Sequence, residues 1–103
     1  MPNELRLSAQ TLKVLGVLMM NSRAEISGAD VGRATKLASG TLYPILFRLE
    51  NAGWVSSEWE PEEPQELGRP RRRLYRITGV GARKARAAIR DIQHSFGDLA
   101  WQS

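Results

Sequence analysis

The chain has 103 residues, enough for one domain with a modest core. Its 42% hydrophobic and 25% charged residues are ordinary globular values and exclude wholesale disorder. Fifteen Lys and Arg against eleven Asp and Glu leave a net charge of +4, which favours a polyanionic partner. The acidic residues crowd between Glu25 and Glu66, whereas the arginines collect between Arg69 and Arg90. Cysteine is absent, so disulfides and thiolate metal sites are excluded and a reducing compartment fits. The N-terminus lacks the layout of a signal peptide, and the longest apolar run, Val14 to Met20, is too short to span a membrane. These features read as a soluble cytoplasmic protein.

Taken in chain order, Ser8 predicts the cap of a helix running to about Met20, entered through a staple of Leu5 and Leu7. Its Leu12, Leu15, Val17, Leu18 and Met19 are apolar on more than one side, which places it centrally in the core. Asn21-Ser22-Arg23 breaks the pattern, and Ala24-Glu25-Ile26 is at most a short extended piece. Ser27 predicts the cap of a second helix over about Gly28 to Thr35, with Ala29, Val31 and Ala34 facing inward. Lys36-Leu37-Ala38 is a tight connection to a third helix, the arrangement of a helix-turn-helix.

The third helix organises the rest. Leu42, Ile45, Leu46 and Leu49 recur at the spacing of one helix face. At about 100° per residue, Pro44, Phe47, Arg48 and Asn51 point away from that stripe, with Thr41 and Tyr43 on its flanks. Ser39 or Thr41 is expected to cap the start, Pro44 to fall near the first turn, and Gly53 to end the helix.

Beyond Gly53 the periodicity becomes alternating. Trp54 to Trp59 reads as a strand, Glu60 to Pro70 as a loop with three prolines and a glycine, and Arg71 to Ile77 as a second strand. Arg73, Tyr75 and Ile77 share one face of that second strand, and the two strands should pair as an antiparallel hairpin. Trp54, Trp59 and Tyr75 are expected to build the hairpin and core. Thr78 predicts the cap of a final helix reaching about Ala100, weakened in its first turn by Gly79 and Gly81. Ala85, Ile89, Ile92, Phe96 and Leu99 form an a/d seam along it, opposite Arg83, Lys84, Arg86 and Arg90.

These elements define a mainly α fold: a winged helix-turn-helix of three helices and a β-hairpin wing, with an appended C-terminal helix. Residues 1–78 are expected to form a DNA-binding domain, with the third helix presenting its outward face to the major groove, and residues 79–103 a dimerisation helix. A second copy would bury Ile89, Ile92, Phe96, Leu99 and Trp101, each large apolar side chain worth roughly 1.5–3 kcal/mol.

Two blocks of sequence carry a family resemblance. Gly40-Thr41-Leu42-Tyr43-Pro44-Ile45-Leu46, with Arg48-Leu49-Glu50 and Gly53-Trp54-Val55, resembles the signature of the PadR family of transcriptional regulators. Gly68-Arg69-Pro70-Arg71-Arg72-Arg73-Leu74-Tyr75-Arg76-Ile77-Thr78, followed by Gly81, does so as well. The resemblance implies a winged-helix repressor that dimerises through C-terminal helices, binds operator DNA and loses it to a small aromatic or hydrophobic molecule. The chain departs from the family pattern at Phe47, at Leu74 and in lacking the usual Gly-Tyr start of the second helix.

The expected DNA contacts are Lys36, Ser39, Gly40, Thr41, Tyr43, Pro44 and Arg48 around the third helix, and Arg69, Arg71 and Arg72 in the wing. Hydroxyls at the helix start suit phosphates, where the helix dipole also favours an anion. Arg48 has the chemistry to read guanine, and the wing arginines to reach phosphates or the minor groove. Arg69 and Arg71 are favoured for phosphate contact, and the Glu-rich loop is read as a solubilising face. Trp101 and Phe96 are the candidates for an effector site at the dimer centre. The alternative function is a winged-helix protein-interaction module without specific DNA binding. Enzyme chemistry is not expected, because there is no phosphate-binding Gly-Lys loop or nucleophile elbow, and His94 is the single histidine. No metal or other cofactor is expected.

Overall fold

Side chains and glycines that satisfy loose backbone groups set most helix boundaries in this chain. The computed structural model describes residues 7–102, with side-chain surroundings described over residues 7–95. Helix α1 (Ala9–Met20) starts where the Ser8 hydroxyl accepts the Thr11 N–H at 3.1 Å. It ends where the Asn21 side chain donates to the Val17 carbonyl at 2.8 Å. Its Thr11, Val14, Leu15 and Leu18 are buried, and Leu7, Val17 and Met19 pack around them. The other expected staple residue, Leu5, lies outside the described residues.

A two-residue strand β1 (Ile26–Ser27) leads into α2 (Gly28–Thr35), capped by Ser27, whose hydroxyl accepts the Asp30 N–H at 3.1 Å. The inner side of α2 is Gly28, Val31 and Thr35; Ala29 and Ala34, expected there, are exposed. Close packing explains the difference. A Cβ on Gly28 would stand 2.7 Å from the Tyr43 hydroxyl oxygen, so only glycine lets that ring lie on α2. Thr35 tolerates burial because its hydroxyl donates to the Val31 carbonyl at 2.8 Å.

Helix α3 (Ser39–Asn51) buries Leu42, Ile45, Leu46 and Leu49, the four residues of the expected inner stripe. Its N-cap is Ala38, with no side-chain cap, which corrects the expectation that Ser39 or Thr41 caps it. Pro44 lies in the second turn rather than the first. There it removes the N–H that would pair with the Gly40 carbonyl, a defect of about 3 kcal/mol that four buried aliphatic side chains offset at roughly 1.5–3 kcal/mol each. Gly53, at φ +80°, ends the helix. Its N–H donates to the Glu50 carbonyl and the Trp54 N–H to the Leu49 carbonyl, both at 3.0 Å, which is a Schellman closure.

Strands β2 (Val55–Trp59) and β3 (Arg73–Ile77) pair antiparallel from Val55↔Ile77 to Trp59↔Arg73, forming the expected hairpin. β1 joins the other edge of β3, so the sheet runs β1-β3-β2 with β3 central. Between β2 and β3 the chain forms a one-turn helix, α4 (Pro64–Leu67), where only loop was expected. Glu63 and Glu66 make a reciprocal capping box, Pro64 opens the turn, and Gly68 at φ +69° closes it. Trp54, Val55, Tyr75 and Ile77 join the helices in one core. Trp59 builds the hairpin as expected but not the core: it pairs with Arg73 across the strands, is exposed, and carries the Arg73 guanidinium 5.1 Å above its ring.

Helix α5 (Gly79–Gln102) is locked to the turn after α3. The Thr78 hydroxyl accepts the Gly81 N–H at 3.0 Å and donates to the Gly53 carbonyl at 2.7 Å. Gly81, read from sequence as a weak point, is required here: a Cβ would lie 2.1 Å from the Trp54 carbonyl oxygen. Ala85 is buried, but Ile89 and Ile92 further along are exposed. The Cα radius of gyration of 15.8 Å exceeds the roughly 13 Å of a compact chain this long, because α5 runs past the core. Side chains of Phe96, Leu99 and Trp101 lie outside the described residues.

Candidate nucleic-acid interface

The surface of interest begins at Lys36, which ends α2 in the left-handed region at φ 61°. Glycine or asparagine would adopt that conformation more cheaply, by about 1 kcal/mol. Leu37 and Ala38 then lead into the first turn of α3. Among the described residues, neither the Ser39 nor the Thr41 hydroxyl makes a hydrogen bond, and no side chain caps the first N–H groups. A free hydroxyl beside open N–H donors is the chemistry that holds a phosphate.

Opposite the buried stripe, Gly40, Pro44, Phe47 and Asn51 follow one another at spacings of four, three and four, and all are exposed. Tyr43 flanks this line on one side and Arg48 on the other. Tyr43 is 43% exposed, with its hydroxyl end resting on Gly28, whereas Phe47 is 64% exposed. At Gly40 a Cβ would meet nothing within 4 Å, so the fold itself does not demand glycine there. Thr41 is half-buried on the flank.

Arg48 is exposed and makes no ion pair among the described residues. Its neighbour Glu50 turns instead to the sheet, accepting the Ser57 hydroxyl at 2.6 Å and standing 3.8 Å from the Arg73 guanidinium. Arg73 in turn donates from Nε to the Ser57 oxygen at 3.0 Å. The pair of strands is thereby tied to the C-terminal half of α3, and a carboxylate that would compete with an anion is removed from Arg48. The Tyr75 phenol, buried nearby, is pushed above its ordinary pKa by that burial and by the Glu50 charge.

The wing is braced by charge. Arg69 grips both oxygens of Glu60, at 2.6 and 3.0 Å, and the Arg72 N–H donates to the same carboxylate at 2.8 Å. These hydrogen bonds hold the Glu60 carboxyl down at about 2, and the same bond raises Arg69. Arg71 pairs with Glu63 at 2.9 Å and donates to the Glu62 carbonyl at 2.9 Å. Two of the three wing arginines expected on DNA are therefore already engaged by carboxylates. Arg72 is exposed and its guanidinium has no partner among the described residues. The loop carboxylates order the wing as well as solvating it.

A helix pair joined by residues 36–38, packed on α1 and followed by an antiparallel hairpin, is a winged helix. The chain belongs to the transcriptional regulator PadR-like family, whose pattern matches residues 23–87. The family is one of transcriptional regulators, not enzymes.

Solved structures agree. A PadR family transcriptional regulator from Eggerthella lenta is 26% identical, over 86% of this chain and 78% of that one, with a TM-score of 0.65. A PadR-like transcription factor from Bacteroides fragilis is 23% identical, over 87% of this chain and 91% of that one, with a TM-score of 0.66. A variant of Staphylococcus aureus MepR bound to an oligodeoxyribonucleotide has a TM-score of 0.72 at 16% identity, a likeness of fold. It is matched over 93% of this chain, which spans 65% of the MepR chain, just under two thirds. No curated protein matches the sequence. Among the described residues, no helix is long and apolar enough to cross a membrane, and no group of three or more ligating side chains converges on a metal position.

Proposed function

We propose that this chain is a sequence-specific DNA-binding regulator, a cytoplasmic homodimer that represses transcription until a small aromatic or hydrophobic molecule releases it. The observation that carries the reading is the outward stripe of α3. Gly40 and Pro44 weaken the helix and Phe47 wets a phenyl ring, yet nothing in the fold asks for any of the three. A surface that is locally unfavourable and exposed on a buried helix has a partner outside the chain.

Lys36, Ser39, Thr41 and the open N–H groups of α3 hold phosphates and set register, with Gly40, Tyr43 and Pro44 forming the surface that meets the backbone. Arg48, without an ion pair among the described residues, reads a guanine edge in the major groove. In the wing, Arg72 is the leading phosphate contact. Arg69 and Arg71 reach DNA only by exchanging Glu60 and Glu63, so their first role is to shape the wing.

Dimerisation is supported by α5, which leaves Ile89 and Ile92 exposed, and by an open apolar cleft of about 640 Å³ between α1, the end of α2 and Ile89. Met20 at its edge is 87% exposed. Residues 79–103 supply the pairing helix, with Phe96, Leu99 and Trp101 completing the seam. The effector would lie against Phe96 and Trp101. Tryptophan quenching by planar aromatic compounds, kept in Trp54→Phe and Trp59→Phe and lost in Trp101→Phe, tests that part.

Salt dependence of binding tests the whole. Lys36 and Arg72, on phosphates from two protomers, release counterions to give a log–log slope of roughly −4. Arg72→Ala should weaken binding and shallow the slope, whereas Arg48→Ala should weaken binding to the selected site and leave the slope nearly unchanged. Salt-insensitive binding unaffected by either substitution would leave the interaction-module reading in its place.

A further inference from the structure

Phe47 stands at the centre of the outward face of α3, 64% exposed, one turn after the exposed Pro44. Arg48 borders it on one side and Asn51 follows one turn on, so an apolar patch is framed by two hydrogen-bonding side chains. The other aromatic of the helix does not share this position. Tyr43 is held back with its hydroxyl against Gly28, bracing α3 on α2. Phe47 has no such duty: it is absent from the core cluster and from the residues packed on it.

We propose that Phe47 is a specificity-determining residue that packs on the 5-methyl group of thymine, fixing one or two positions of each half-site. The inference rests on α3 being the groove-binding helix. Its occupant follows from chemistry, with cations at Lys36, Arg48 and Arg72 that make no ion pair among the described residues supplying the charge complementarity to a polyanion. Along the major groove every base edge offers hydrogen-bonding atoms, and thymine alone adds an apolar group. A phenyl ring over a guanine, adenine or cytosine edge would strip water from polar atoms and leave them unpaired. Phosphate gives it nothing. Arg48 and Asn51 alongside then read guanine and adenine edges, so a thymine next to a purine contact is the expected pattern.

The test replaces thymine by deoxyuridine, which deletes the methyl group and keeps the base pair. An operator selected by the wild-type chain is synthesised with each dT changed singly to dU, and affinities are measured by fluorescence anisotropy. At one or two positions per half-site, loss of the methyl should weaken wild-type binding about fourfold, the worth of one buried methyl-sized group. For Phe47→Ala those positions should show no difference between dT and dU, while other positions behave as in wild type. Phe47→Leu should retain part of the discrimination, and thermal melts should leave both variants as stable as wild type because the ring is exposed.

Uniform weakening of Phe47→Ala across all sites, or a methyl effect that survives in it, overturns the inference while leaving DNA binding intact. So does an operator in which no thymine methyl matters to wild type. Failure of the wild-type chain to bind any DNA overturns the functional reading and this inference together.

Discussion

Gly40→Ala separates what the fold needs from what DNA needs. The substitution adds one methyl group to the first turn of α3, on the exposed face, where a Cβ meets nothing within 4 Å. No steric term opposes it, and alanine reduces the entropy of the unfolded chain, so stability should rise by about 0.4–1 kcal/mol. For a domain this size that is a rise in Tm of about 2–6 °C. The same methyl group would stand between the helix and a phosphate packed against it. Overpacking of a close interface costs about 1–3 kcal/mol, so binding should weaken at least fivefold per half-site. Thermal melts by circular dichroism and anisotropy at one fixed salt concentration read the two effects on the same sample. A raised Tm with unchanged affinity would show that the first turn of α3 does not touch DNA. A lowered Tm would contradict the packing itself.

Three other substitutions or conditions probe the neighbouring elements. Lys36→Gly relieves a left-handed lysine and should hold or raise stability by up to about 1 kcal/mol, while lowering DNA affinity and reducing the salt slope by roughly 0.9 per site; an unchanged slope would remove Lys36 from the interface. Gly81→Ala drives a methyl group to 2.1 Å from the Trp54 carbonyl oxygen and should destabilise the chain by about 1–3 kcal/mol or more, seen as a Tm fall of roughly 5–15 °C. A neutral melt would mean α5 docks differently. For Glu60, the folded carboxyl at about 2 lies below its ordinary 4.5, so its bracing of the wing is fully present above 4.5 and fades as pH falls toward 2. Carbon-13 NMR of that carboxyl should show no titration near 4.5, and Glu60→Gln should loosen amide protection across residues 60–72 already at neutral pH.

Much of this was legible because strong local signals agree with one another. Leu42, Ile45, Leu46 and Leu49 announce the buried side of α3, and Ser8, Ser27 and Thr78 announce three helix starts through their hydroxyls. The misreadings share a cause: they concern what a residue meets across space. Ala29 and Ala34 look like the inner side of α2 by hydropathy, but Gly28 and Thr35 take it because Tyr43 and a back-bonded hydroxyl make small or polar residues fit. Gly81 reads as helix weakness until the Trp54 carbonyl is seen against it. Pro44 is a helix-start residue by propensity and sits in the second turn because the inner stripe holds the helix on both sides of it.

α4 has a signature in the sequence that its prolines mask. Glu63-Pro64-Gln65-Glu66 has the acidic pair and N-terminal proline of a capped turn, with Gly68 at its end, but three prolines made the segment look like plain loop. In the candidate interface, the cations are legible in the sequence and their partners are not. Arg69, Arg71 and Arg72 are equivalent in sequence, and only the fold shows that Glu60 and Glu63 occupy the first two. The exchange of Glu50 from its neighbour Arg48 to Ser57 and Arg73 is equally invisible along the chain, since it depends on how the sheet packs on α3.

Selection of bound sequences from a random duplex pool by this chain decides whether α3 of a two-fold dimer reads DNA sequence. An enriched pseudo-palindrome with half-sites about 34–36 Å apart, one helical turn, is expected, with that enrichment lost in Arg48→Ala. A pool that emerges from repeated rounds with no enriched motif would contradict it.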